Sequence, residues 1–288
     1  MACTNLTNLI MAKIGVFDSG YGGLTILKEI RKELPEYDYL YLGDNARAPY
    51  GTRSYEVIYE YTLQAVRWLE SQGCRLIILA CNTASAKALR TIQQHDINPD
   101  KLRVLGVIRP TVETVGPEVH HIGVLATPGT VNSNSYVMEL EKGERLKVKG
   151  ERELVISQQA CPMWVPLIEA GEHNSDGADY FVEKYLRELL NQDPQIDTII
   201  LGCTHYPLLL PKIQACLTRL SHKADIICQG DIVATSLKDY LTRHADIEAA
   251  LSRGSSCEYI TTESAEKFRD SASVFLNHPI QVRHIELE

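Results

Sequence analysis

Two short apolar runs, each stopping at a cysteine, constrain the fold of this chain more than any other feature. Ile199-Ile-Leu-Gly202 leads into Cys203-Thr-His-Tyr-Pro207; 122 residues upstream, Ile77-Ile-Leu-Ala80 leads into Cys81-Asn-Thr-Ala-Ser85 and a helical pattern through Gln93. A short apolar run bounded by turn residues reads as a buried strand, and a helical pattern directly after it makes a strand–turn–helix unit. Pro207 is tolerated in a first helical turn, so both turns are expected to expose unpaired N–H groups at the positive end of a helix dipole. Anions bind at such ends, and thiol pKa values fall there.

The same unit recurs along the chain. Ile14-Gly-Val-Phe17 is a strand, Asp18-Ser-Gly-Tyr-Gly-Gly23 a turn and Leu24 to Leu34 a helix. The glycines at 20, 22 and 23 miss the G-x-G-x-x-G spacing, which disfavours a dinucleotide site, and Asp18 or Ser19 reads as a helix N-cap. Tyr39-Leu-Tyr-Leu42 is a strand followed by a long polar loop, 43 to 53, of the kind that carries function, and by a helix from Ser54 to Gln72. Val104 to Ile108 is a strand ending in a Pro turn. His121-Ile-Gly-Val-Leu-Ala-Thr-Pro128 then echoes Lys13-Ile-Gly-Val-Phe-Asp-Ser-Gly20 position by position, as if the chain began again. Two prolines predict a short helix or irregular loop over 161 to 169. A helix over 179 to 190, strands at 226–228, 257–261 and 281–285, and helices at 232–241 and 265–276 complete the pattern. Alternating strands and helices predict an α/β fold with parallel sheets covered on both faces. The echo predicts two similar α/β halves that face each other.

Composition narrows the function. A net charge of −8 without a long basic run argues against nucleic acid or an anionic membrane as partner. No apolar segment approaches the roughly 20 residues of a membrane helix, and Met1 to Ile10 lacks the basic and apolar regions of a signal peptide, so a cytoplasmic protein is expected. Residues 1–11 read as a loose tail before Met11-Ala-Lys13, an alternative start, and the sequon at Asn5 then has no meaning. The eight cysteines are scattered, without the close pairs of a disulfide scaffold, and are expected to be reduced. Cys203-x-His205 supplies too few ligands for structural zinc, so no metal is expected.

Four readings of Cys81 and Cys203 compete. They could be buried core cysteines, which the repeat disfavours. A redox pair would need sulfur contact, yet each cysteine sits among polar residues rather than beside a resolving partner. A Cys–His hydrolase would use His205 as the base for Cys203 and leave Cys81 unexplained. Two acid–base thiols on opposite faces of one substrate would each need an anion cradle and an assisting group, features that the sequence presents twice.

Asp18-Ser-Gly-Tyr-Gly-Gly23, Asp44-Asn-Ala-Arg-Ala-Pro-Tyr-Gly51, Ala80-Cys-Asn-Thr-Ala-Ser85 and Gly202-Cys-Thr-His-Tyr-Pro207, in this order and spacing, resemble the motifs of the glutamate racemases of the cofactor-independent aspartate/glutamate racemase family. Ala160 to Glu169 is similar to a further family segment, and the resemblance runs from about Lys13 to the C-terminus. It implies two similar α/β domains related by a pseudo-twofold axis, with the active site in the cleft between them, and interconversion of L- and D-glutamate, the D form serving peptidoglycan, with no cofactor. Cys81 and Cys203 would be the catalytic bases, assisted by Asp18 and His205. Asp18, Ser19, Tyr50, Gly51, Asn82, Thr83, Thr204 and His205 would bind glutamate, and Asp44 and Glu169 would help with the ammonium or with proton transfer. The resemblance also implies a chain that returns, giving a first domain of 12–108 plus 226–288 and a second of 109–225. A homodimer is a candidate assembly. The chain departs from the family pattern at Ala126-Thr-Pro-Gly-Thr130 and at Arg109-Pro110. A racemase of aspartate or another acidic amino acid and a catalytically silent carboxylate-binding protein are the rival readings; a pyridoxal phosphate enzyme is disfavoured because paired thiols need no electron sink.

Overall fold

A computed structural model describes residues 11–147, 154–276 and 278–287, with side chains 144–147 excepted. Residues 1–10 of the expected tail lie outside the described residues, and Met11 is exposed. In chain order the strands are β1 (Ile14–Asp18), β2 (Tyr39–Gly43), β3 (Leu76–Leu79), β4 (Arg103–Gly106), β5 (His121–Ala126), β6 (Val155–Ala160), β7 (Thr198–Gly202), β8 (Asp225–Ile227), β9 (Cys257–Thr261) and β10 (Val282–His284). They form two parallel sheets, ordered β10-β9-β2-β1-β3-β4 and β6-β5-β7-β8. Within each sheet the four strands of one half therefore run in the order second, first, third, fourth.

That order positions the site. The connections from the first and third strands of each half leave in opposite directions from neighbouring strands, which opens a crevice at their C-terminal ends. Register sets what faces it: Phe17 pairs with Leu79, so Asp18-Ser19 lies beside Ala80-Cys81, and Ala126 pairs with Gly202, so Thr127 lies beside Cys203. The Ile-Gly-Val strands β1 and β5 are interior and almost wholly buried, as continuous apolar runs require in a two-faced parallel sheet.

Alternate β1 residues feed separate cores. Phe17 joins Leu40, Leu42, Ile77 and Leu79 on one face, whereas Ile14 and Val16 join a larger cluster that continues through Leu125, Ile199 and Leu201 of the second sheet. The helices Gly23–Glu33 and Gly230–Arg243 pack together within this shared cluster. Residues 226 and 227, expected with the first domain, pair instead with β7, so the chain leaves the second sheet only after β8. The polar edge strand β6 and the helix Ser135–Lys147 had no counterpart in the sequence reading. No helix among the described residues is long and apolar enough to cross a membrane.

Two local expectations change. Gly22, not Asp18 or Ser19, occupies the N-cap position of helix Gly23–Glu33, while the Asp18 carboxylate accepts the Gly20 N–H at 2.9 Å from outside the helix. Beyond Cys203, a 3-10 turn, Tyr206–Leu209, precedes the α-helix Leu210–Arg219. Pro207 and Pro211 each suit only a first turn, so two tight starts follow one another and Cys203 does not cap a long helix.

Candidate active site

The ten residues expected at the site, Asp18, Ser19, Tyr50, Gly51, Cys81, Asn82, Thr83, Cys203, Thr204 and His205, line one cleft between the two sheets. Glu169 lines it as well; Asp44 does not. Asp44 is fully buried behind the cleft, where it accepts hydrogen bonds from Tyr50 Oη, from Arg47 Nε at 2.6 Å and from Thr262 Oγ1 at 2.8 Å. It holds the Tyr50 hydroxyl.

Cys81 ends the β3 unit as the N-cap of helix Asn82–Lys87, its Sγ accepting the Ala84 N–H at 3.5 Å, and Ser19 Oγ lies 3.2 Å away. Burial pushes its thiol up to about 12, with the Asp18 charge adding to the effect and Ser19 and the Ala84 N–H opposing it. The low thiol pKa expected from a helix start is thus overturned: two donors do not compensate for removal from water. Burial likewise raises the Asp18 carboxyl, against the His205 charge and the Gly20 and Gly23 N–H groups.

The other side is built differently. His205 Nδ1 lies 3.8 Å from Cys203 Sγ, and its Nε2 lies 3.0 Å from Glu169 Oε1. Burial disfavours the imidazolium, but its hydrogen bonds to Cys203 and Glu169 outweigh that and hold the pKa well above the ordinary histidine range. Tyr206 fixes the turn by packing edge-on against Trp164 with centroids 4.7 Å apart and by donating to the Cys161 carbonyl at 3.3 Å. Cys81 therefore faces a buried carboxyl and a hydroxyl, and Cys203 faces a cation backed by a carboxylate.

Close approaches across the cleft explain the glycines. A Cβ on Gly22 would come within 2.3 Å of both His205 Nδ1 and Thr204 Oγ1, and a Cβ on Gly129 would come within 2.9 Å of the Gly51 carbonyl. Thr25 Oγ1 donates to the Thr204 carbonyl at 3.0 Å, and the Gly129 N–H donates to the Gly51 carbonyl at 2.7 Å. Thr83 Oγ1 meets Thr127 Oγ1 at 2.9 Å and Thr130 Oγ1 at 3.4 Å, closing the far end with hydroxyls.

Sequence reasoning missed Thr127, Cys161 and Val165 in the lining. The echo carried the signal for Thr127, since it stands opposite Ser19 in the repeat, and both follow the first strand of a half. The same alignment puts Ala126 opposite Asp18, so the acid of the second half comes from Glu169 through His205. Asn82 has its amide engaged by Tyr136 and Gln229, neither of which the sequence suggested.

A family model described as Asp/Glu/Hydantoin racemase matches residues 22–237. The glutamate racemase of Dinoroseobacter shibae is 38% identical over 285 residues, covering 95% of this chain and 98% of that protein. The glutamate racemase of Bacillus cereus is 38% identical over 96% of this chain and 97% of its own length. The crystal structure of the Francisella tularensis glutamate racemase in complex with D-glutamate superimposes with a TM-score of 0.83 at 31% identity, covering 96% of this chain and 98% of that one. The chain belongs to the Asp/Glu/Hydantoin racemase family and, within it, to the glutamate racemases.

Proposed function

We propose that this racemase interconverts L- and D-glutamate by moving the α-proton between Cys81 and Cys203, each half of the molecule contributing one thiol as a domain of its own. The observation that carries the reading is that, of the three buried thiols lining the cleft, Cys81 and Cys203 sit on equivalent turns and each has its own assisting group. The Francisella relative that is similar over nearly its whole length is in complex with D-glutamate, which supports the substrate.

Burial keeps the proton on Cys81, and the His205 imidazolium lies beside Cys203 Sγ, where it favours negative charge that develops on that sulfur during the transfer. Substrate that presents its α-hydrogen to Cys203 loses it there and gains one from Cys81 on the opposite face. The opposite enantiomer needs the reverse, in which Asp18 relieves Cys81 of its proton and His205 returns one to Cys203. An amino-acid α-proton is very weakly acidic, so the carbanion requires stabilisation. The hydroxyls of Ser19, Thr83 and Thr204 and the N–H groups of the Asn82–Lys87 helix start supply donors for the α-carboxylate. No step requires an electron sink. As the family resemblance implies, the D-glutamate serves peptidoglycan synthesis, and the enzyme works in the cytoplasm.

Racemisation in D₂O tests the opposed pair. The base that removes the proton holds it while the other, already exchanged, delivers a deuteron. Early product carries deuterium at Cα while remaining substrate stays protiated, from either enantiomer. Label appearing equally early in both pools refutes two opposed bases.

A further inference from the structure

We propose that Gln229 is a positioning residue that locks the Asn82 amide in one orientation and so ties the catalytic Cys81 turn to both points where the chain crosses between the sheets. The inference rests on the racemase reading of the cleft. Gln229 follows β8 at the second crossover, Val107 and Thr111 follow β4 at the first, Tyr136 belongs to the helix Ser135–Lys147, and Asn82 follows Cys81 directly. Asn82, Thr111, Tyr136 and Gln229 are all 0–2% exposed.

Thr111 sets the direction of the hydrogen bonds in this cluster, because its hydroxyl hydrogen goes to the Val107 carbonyl and leaves its oxygen to accept from the Gln229 amide. Gln229 Nε2 has two hydrogens, and its shortest contacts are Thr111 Oγ1 and Tyr136 Oη, both at 2.9 Å. Thr111 Oγ1 passes its own hydrogen to the Val107 carbonyl at 2.7 Å, and Tyr136 Oη passes its hydrogen to Asn82 Oδ1 at 2.7 Å. Asn82 Nδ2 donates to Gln229 Oε1 at 2.6 Å, closing a ring of Gln229, Tyr136 and Asn82. Turning the Asn82 amide over would set its NH₂ against the Tyr136 hydrogen and its oxygen against Gln229 Oε1. Buried groups opposed in that way lose their partners without gaining water, so while Thr111 donates to Val107 and holds the Gln229 amide, Asn82 keeps one orientation. One Asn82 Nδ2 hydrogen takes no part in the ring, and Asn82 lines the cleft, so the lock presents a fixed donor suited to a substrate carboxylate oxygen.

A double-mutant comparison separates positioning from general support. Gln229→Met keeps the length and removes the hydrogen bonds. We expect it to lower kcat/KM for glutamate by about tenfold or more, because catalysis is sensitive to misplacement of a binding group by an ångström. In an Asn82→Ala background the same change costs less than about threefold, since there is no amide left to orient. Equal losses in both backgrounds overturn the proposal, as does unaltered kcat/KM in folded Gln229→Met. Should Gln229→Met fail to fold, Tyr136→Phe opens the same ring by one oxygen and takes its place in the comparison. Wild-type protein that turns over no glutamate would sink the racemase reading instead. The ring is then judged by NMR: solvent exchange of the Asn82 side-chain amide accelerates in either variant if the lock exists, and unchanged exchange overturns it.

Discussion

A methyl group on Gly22 probes the link between the seam of the two halves and the chemistry. Gly22 has φ −58° and ψ −35°, a conformation open to any residue, so the Gly22→Ala backbone is unstrained and the less flexible unfolded chain contributes about 0.4–1 kcal/mol of stability. The new Cβ, however, lies 2.3 Å from His205 Nδ1 and Thr204 Oγ1, where ordinary contact begins at 3.4 Å. The His205 ring must retreat by about 1 Å, or the halves must part, and overpacking of this kind costs about 1–3 kcal/mol. The net destabilisation, about 1–2 kcal/mol, lowers Tm by only a few degrees in a chain of this size. Activity suffers more, because Nδ1 can no longer stay 3.8 Å from Cys203 Sγ, and a shift of about 1 Å costs about 10²-fold in rate. Circular dichroism following racemisation of either enantiomer measures it, beside a thermal melt. Gly143→Ala is the control: its helical site has Val112 Cγ1 at 3.9 Å as nearest neighbour, so it gains about 0.5–1 kcal/mol and keeps full activity. Gly22→Ala with kcat/KM within threefold of wild type would refute the claim that the close seam places His205.

Cys81→Ala and Cys203→Ala each abolish racemisation with the fold intact by circular dichroism, whereas Cys74→Ser, Cys216→Ser and Cys257→Ser remain active; Cys74 and Cys216 are buried, so their variants lose about 1–3 kcal/mol in denaturant melts. Substantial turnover in either Ala variant removes the two-thiol assignment. Glu169→Gln deletes a carboxylate that holds the His205 pKa up, so the alkaline limb of kcat/KM moves to lower pH; an unmoved limb shows that Glu169 does not tune His205. The raised His205 pKa also stabilises the fold, fully below the unfolded value of about 6.5 and progressively less as pH rises through the folded value. The stability gap between wild type and His205→Asn therefore narrows at alkaline pH, and a gap that widens contradicts the charged imidazolium. Extensive dialysis against a chelator leaves activity unchanged if the thiols act without a metal, and loss restored by added metal ends that reading.

Much of the architecture was legible because buried parallel strands are continuous apolar runs. Each run that ends at a turn, Ile14–Phe17, Leu76–Leu79 or Ile199–Leu201, announces both a strand and the crevice it points into. β6 escaped detection because Val-Ile-Ser-Gln-Gln-Ala is a half-exposed edge strand and needs no apolar run. Thr127 was within reach through its correspondence with Ser19 in the repeat.

What the residues determined by themselves was local: two strand–turn–Cys units, their equivalence and the family they resemble. Tertiary structure decided everything that depends on groups distant in sequence meeting out of water. Burial, which no spacing reports, turns the Cys81 thiol from the acidic group of a helix start into one held up to about 12. Glu169 becomes the partner of His205 only because β5 carries the Cys161–Glu169 segment and the Cys203 turn to the same end of the sheet. Asp44 is withdrawn behind Tyr50 by Arg47 and Thr262, and Gln229, 147 residues from Asn82, acquires its place through the second crossover. Pattern reveals which side chains face a crevice; pKa and hydrogen-bond direction are set by the whole of what surrounds them.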